Sequence, residues 1–238
     1  MQTGSDGAVR GAGRRIPGVN PRPAEAPHAP ATAPDGDPVA SAAGPARSLH
    51  PLDLRWAVIA LITAAAGLFA SISLVGEKLA ILADPNHTTS CDISAVLSCG
   101  TVIRTWQAEV FGFPNPLIGL VSYAVVIVLA LGVLAGARFR PWFWWGLILG
   151  QVLGQVFLLW LWTEATFDIN ALCLYCMLVW LVHPILLLAT ISRCVRTGAL
   201  PVGEAVRSTA PLWAAGIAAL IILVVFGSVL IRFAGTMF

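Results

Sequence analysis

The chain has 238 residues, of which 58% are hydrophobic and 11% are charged, with a net charge of +2. An ordinary soluble domain carries about 25% charged residues, so this composition excludes a water-soluble globule with a single buried core. The charge balance implies neither a nucleic-acid partner nor an acidic substrate, and there is no phosphate-cradling loop or zinc-protease helix motif.

Residues 1–50 are dense in Pro, Ala, Gly and Asp and contain no apolar run. Such a segment buries too little to offset its ordering entropy, so a disordered tail is expected. It lacks the apolar stretch of a signal peptide. Five uncharged stretches follow, at 56–76, 110–137, 141–163, 169–192 and 208–231. Each reaches the roughly 20 residues that a helix needs to cross the hydrocarbon. Pro114 and Pro116 set the start of the second helix at about 116, because proline suits a first helical turn. Barrel-type alternation is absent. The expected fold is an all-α membrane protein with five transmembrane helices.

With the N-terminus in the cytoplasm, eleven of the fourteen basic residues fall on the cytoplasmic side, and only Lys78, Arg104 and Arg232 fall outside it. The positive-inside rule therefore places the 77–115 loop, the 164–170 loop and the C-terminus on the outer side. Of five cysteines, Cys91, Cys99, Cys173 and Cys176 lie outside, and Cys194 lies at the cytoplasmic end of the fourth helix. The outer four are free to form disulfides. Three connectivities are open, and the pairs close in sequence, 91–99 and 173–176, are the natural resting arrangement.

Cys173-Leu174-Tyr175-Cys176 is a CxxC at a helix start, where the macrodipole and free N–H groups favour a thiolate at Cys173. The bland readings are a structural disulfide or half of a metal site. Zinc wants two further ligands at matching spacing, and only His87 and His183 are available, so no metal is expected. The second pair lies eight residues apart in the outer loop, where it can move between a soluble partner and the fixed CxxC. Elsewhere, Gly150-Gln151 and Gly154-Gln155 read as helix-packing elements, and Trp142, Trp144 and Trp145 as an interfacial belt. His183-Pro184 reads as a kink with a packing histidine, and Asp92, Glu109, Glu164 and Asp168 as solvated loop charge or proton carriers.

CDISAVLSCG, then FPNPLIGLVSY, then CLYC opening a later helix resembles the vitamin K epoxide reductase family, specifically its bacterial members. The likeness covers roughly 56–192. It implies a four-helix catalytic core over 51–192 with the outer loop 77–115, while 193–238 supply a cytoplasmic loop and one additional helix. It implies a quinone-linked thiol oxidase in the plasma (inner) membrane of a bacterium. Such an enzyme reoxidises a DsbA-like thioredoxin-fold protein, here a separate polypeptide since the chain ends at Phe238, and relays electrons from Cys91/Cys99 to Cys173/Cys176. The acceptor is a membrane quinone, menaquinone or ubiquinone. By position, Cys176 is the sulfur nearest the quinone and Cys173 the one that exchanges with the loop.

Asn115, with Gly119 and Tyr123 four and eight residues on, matches the family's quinone-binding amide; as an N-cap, Asn115 is equally natural. Phe111 and Phe113 can cover a quinone ring or anchor the interface. Ser98 or Thr101 matches a loop-orienting hydroxyl. Where vertebrate members carry a tyrosine four residues after the CxxC, this chain has Trp180. That departure favours quinone reduction over epoxide reduction. The rival reading is a non-catalytic polytopic protein stapled by two disulfides.

Overall fold

The structure is a computed structural model that describes residues 50–237. The reading of residues 1–50 as a disordered tail falls, but for His50, outside the described residues. The described chain is helical, with one isolated bridge between Leu97 and Leu172. Five helices are long and apolar enough to cross a membrane: α1 (Pro51–Ala83), α3 (Pro116–Leu134), α4 (Pro141–Thr163), α5 (Leu174–Arg196) and α6 (Glu204–Met237). A sixth, short helix, α2 (Cys99–Ile103), lies in the loop between α1 and α3.

Each long helix starts where its chemistry allows. Proline occupies the first turn of α1, α3 and α4, where its missing N–H costs nothing. His50 caps α1, its Nδ1 accepting from the Leu52 N–H at 3.3 Å. The helix runs 33 residues, about 50 Å at 1.5 Å per residue, which exceeds the roughly 30 Å of hydrocarbon. It therefore extends past its apolar stretch to carry Glu77 and Lys78 into the loop region. Its buried face reads Ala57, Ala60, Ala64, Gly67, Ser71 and Leu74. That alternating three-four spacing of small residues lets neighbouring helices approach closely.

The helices surround a cavity at the end of the bundle that carries the CxxC, lined from α1, α3, α4 and α5. Helix α6 packs on α5, with Val225, Val229 and Phe233 buried beside Trp180. At the opposite end, Arg193 donates to Asp53 at 2.8 and 2.5 Å and lies 3.7 Å over the ring of Trp144. Trp56 packs edge-on against Trp144 at 5.0 Å and donates to Thr190 at 3.0 Å. Trp144 is thus a buried clasp between helices, whereas Trp142 and Trp145 are exposed as an interfacial belt requires.

The helix ends differ from the sequence expectation for local reasons. Helix α3 stops at Leu134 because Gly136 turns the chain with φ +89°. The short 164–170 loop is a π-helical continuation of α4 over Glu164–Ile169, ended by Asn170 at φ 55°. The fourth span begins at Leu174 rather than 169, because Leu172 is engaged in the bridge to Leu97.

Candidate redox site

The loop between α1 and α3 is tied down along its length. Glu77 accepts from the Ser90 N–H at 3.0 Å and contacts His87 at 3.1 Å. Lys78 pairs with Glu109 at 2.7 Å and reaches the Ile103 carbonyl at 3.5 Å. The Leu97–Leu172 bridge adds two main-chain bonds: Ser98 N–H to Leu172 O at 3.0 Å, and Leu172 N–H to Val96 O at 2.7 Å. These bonds pin the residues preceding Cys99 beside the residue preceding Cys173.

Asp92 organises the same turn. Its carboxylate accepts from Gly100 N–H at 2.9 Å, Ser98 Oγ at 2.8 Å and Thr89 N–H at 2.8 Å. Ser98 in turn caps α2, accepting from Thr101 N–H at 3.1 Å. Burial works to raise the Asp92 pKa, but these bonds outweigh it and hold the carboxyl down at about 2. A proton-carrier role for Asp92 is therefore set aside, since a group held at that value does not exchange protons near neutrality. A carboxyl depressed from 3.8 to about 2 contributes order that is complete above roughly pH 4 and lost as pH falls through about 2. Amide exchange at Gly100 is accordingly expected to stay slow at pH 4 and to rise at that pH in Asp92→Asn, whose amide is a poorer acceptor.

The sulfurs converge at this point. Cys91 and Cys99 form a disulfide, while Cys173 and Cys176 are free thiols. The expected resting pairing thus holds for the loop and differs at the CxxC. Cys173 Sγ lies 3.1 Å from Cys99 Sγ, both fully buried. The thiol of Cys176 hydrogen-bonds to Cys173 and, with the N–H groups of Cys176 and Tyr175, lowers the Cys173 pKa against the opposing effect of burial. A lowered pKa raises the thiolate fraction, the form that attacks a disulfide. The sulfurs of Cys91, Cys99 and Cys173 also lie within 4.8 Å of one another, which sets the Cys173 sulfur against the Cys91–Cys99 disulfide. Cys194, buried at the other end of α5, is remote from this cluster in sequence and belongs to the core around Trp56 and Trp144.

Beneath the sulfurs lies the cavity, about 170 Å³, with Cys173, Cys176, Asn115, Tyr123 and Trp180 on its walls. That volume suits an aromatic ring, since a dry cavity of about 150 Å³ takes up benzene. Two buried polar atoms on its wall have no partner: the Trp180 indole Nε1 and Asn115 Oδ1. Leaving such groups unpaired is costly, so the site is suited to a ligand that carries oxygen. Asn115 occupies the N-cap position of α3, but its side chain makes no capping bond; its amide donates instead to the Gln107 carbonyl at 2.7 Å. Gln107 is itself buried and donates to Glu164 at 3.1 Å and Asp168 at 3.0 Å. Those two carboxylates are thereby engaged rather than simply solvated.

Of the residues expected at the quinone, Asn115, Tyr123, Cys176 and Trp180 line the cavity, whereas Phe111 and Phe113 do not; Phe111 is 55% exposed and packs on Phe113 and Phe157, the last of which does line it. The sequence carries no signal for Gln107, and His183 reads as a packing residue. Their roles come from partners 57 to 61 and 60 residues away, which no local pattern signals.

A buried disulfide in van der Waals reach of a CxxC, above an apolar cavity within membrane-crossing helices, defines a membrane thiol–disulfide oxidoreductase. The sequence signature of the vitamin K epoxide reductase family matches residues 58–191, and the chain belongs to that family. No curated protein matches the chain. The family is associated with quinones; the unpaired Trp180 N–H fits a ligand oxygen that accepts, and the unpaired Asn115 Oδ1 fits a hydroxyl, as in the reduced form.

Proposed function

We propose that this protein is a quinone-linked thiol oxidase that drives disulfide formation on the outer face of a bacterial plasma membrane. The observation that carries the proposal is the 3.1 Å approach of Cys173 to the loop disulfide. The asymmetry of basic residues supports an N-terminus in the cytoplasm and a cysteine end outside.

The dithiol of a separate DsbA-like thioredoxin-fold partner attacks the Cys91–Cys99 disulfide and leaves it reduced, while the partner leaves oxidised. Cys99 then attacks Cys173 of an oxidised Cys173–Cys176 pair, forming a Cys99–Cys173 bond and releasing Cys176. Cys91 resolves that bond, restoring Cys91–Cys99 and leaving Cys173 and Cys176 as thiols. The arrangement of sulfurs described above corresponds to this last state.

A bound quinone, menaquinone or ubiquinone, supplies an acceptor for two electrons and two protons. Cys176, on the cavity wall, gives up its electrons as it closes back onto Cys173, and the two thiol protons balance the transfer. Trp180 would orient the ligand through its unpaired N–H, a bond that strengthens as electron density builds on an accepting oxygen, and Asn115 Oδ1 would accept from the hydroxyl that forms. Tyr123 closes the far end.

The test is quinone reduction by the purified protein supplied with a reduced DsbA-like donor, followed by quinone absorbance in wild type, Cys91→Ala and Cys176→Ala. Quinone is expected to be consumed only when all four cysteines of the cluster are present. Wild type as silent as the variants, across several quinones and donors, would return the cysteines to the role of staples.

A further inference from the structure

The two ends of the cavity differ in their hydrogen-bonding groups. Toward the cysteines the wall carries one unpaired donor, the Trp180 N–H, and one unpaired acceptor, Asn115 Oδ1. At the other end stand Tyr123 and His183, both buried and both on the wall. His183 Nε2 lies 3.0 Å from the Gln151 backbone carbonyl. A carbonyl only accepts, so Nε2 carries the hydrogen, and in a neutral imidazole Nδ1 is then a bare lone pair. The Tyr123 hydroxyl lies 3.2 Å from that Nδ1 and must donate to it. Its single hydrogen is committed to the histidine, and only its oxygen lone pairs remain for a ligand.

This geometry is built into the helices. A Cβ at Gly67 would sit 2.5 to 2.7 Å from three ring atoms of Tyr123, and one at Gly154 would sit 3.2 Å from two ring atoms of His183. Both rings occupy space that glycines on α1 and α4 leave open. Asn115 and Tyr123 lie on one face of α3, two turns apart. Their axial separation is about 12 Å, which spans a quinoid ring with a hydrogen bond of about 2.8 Å at each end.

We infer that His183 is a positioning residue that makes Tyr123 a hydrogen-bond acceptor, so that this end of the cavity selects the hydroxyl of a quinol over the carbonyl of a quinone. The inference rests on the proposed quinone reading and adds to it a preference for the reduced form. A site that holds the quinol more tightly shifts the bound couple toward reduction by the ratio of the two affinities. His183 thus assists electron transfer without touching the sulfurs.

The experiment measures dissociation constants for a short-chain naphthoquinone and for its quinol, kept reduced anaerobically, by quenching of tryptophan fluorescence. In His183→Phe the phenol hydrogen is released to face the ligand. Quinone binding then tightens, and the quinol-to-quinone affinity ratio falls about tenfold, the worth of one hydrogen bond. Tyr123→Phe keeps the ring on Gly67 and lowers the same ratio through weaker quinol binding alone. His183→Asn, whose amide oxygen can take the phenol hydrogen, restores the ratio. Equal changes for both ligand forms, or an unchanged ratio in His183→Phe and Tyr123→Phe, overturn the inference while leaving quinone binding intact. Wild type that binds neither form overturns the proposed function and this inference with it.

Discussion

A chain lacking both Cys91 and Cys176 is expected to be isolated with Cys99 and Cys173 joined in a disulfide. The two sulfurs already lie 3.1 Å apart, and the double substitution removes the thiols that would resolve the bond on either side. The loop cannot carry Cys99 far while the main-chain bonds of Ser98 and Leu172 hold. Peptide mapping after alkylation should find one cross-linked pair spanning the loop and the start of α5, with Cys194 alkylated only after unfolding because it is fully buried. Quinone reduction should fall by about a thousandfold or more, since relay cysteines act as a unit and the loss of one stops the whole sequence. Free, alkylatable Cys99 and Cys173 in this variant would show that the contact is not on the electron path.

The second large effect is expected at the cavity wall. Asn115→Ala removes an amide that is fixed by Gln107 and faces the ligand space. Losing this amide, which ties Gln107 to the wall and leaves Oδ1 free for a ligand hydroxyl, is expected to cost about tenfold or more in turnover, the worth of one to two hydrogen bonds. Trp180→Phe keeps the aromatic bulk against Val225 and Val229 but deletes the unpaired N–H, and a loss of about tenfold is expected for one hydrogen bond. Neither change reaches the sulfurs, so the Cys99–Cys173 disulfide should still form in both when Cys91 and Cys176 are also replaced. A Trp180→Phe protein with unaltered quinone reduction would leave the indole as a packing residue alone.

What was legible in the sequence is what short-range pattern encodes. Hydropathy over 20 residues marks each span, proline marks where α1, α3 and α4 begin, and the CxxC reads directly as a helix start. Cys173, Cys176, Asn115, Tyr123 and Trp180 line one cavity, and the Cys91–Cys99 disulfide of the loop lies against Cys173. Other features depend on which distant group arrives beside a residue. From local pattern Asp92 reads as solvated loop charge or a proton carrier, but Gly100, Ser98 and Thr89 surround it. His183 reads as a packing residue, but the Tyr123 hydroxyl meets its Nδ1. Trp144 reads as a membrane-surface belt residue, yet it is buried under Arg193 of the Asp53–Arg193 pair. Phe111 reads as a ring cover because it precedes Asn115, but the 3-10 turn at Trp106–Glu109 and the positive φ of Gly112 carry it to the outside of Phe157.

The bridge between Leu97 and Leu172 also bears on the order in which the molecule matures. Cys91 and Cys99 are eight residues apart and can be oxidised as soon as that stretch leaves the membrane. Cys99 and Cys173 are 74 residues apart, and α3 and α4 must both be inserted before α5 brings Leu172 to Leu97. Contacts so distant along the chain form late, because the entropy of closing the intervening segment is lost before the contact repays it. Biogenesis is thereby expected to be staged: a nascent chain can close its loop disulfide first, and Cys173 comes against Cys99 only once the last wall of the cavity has closed.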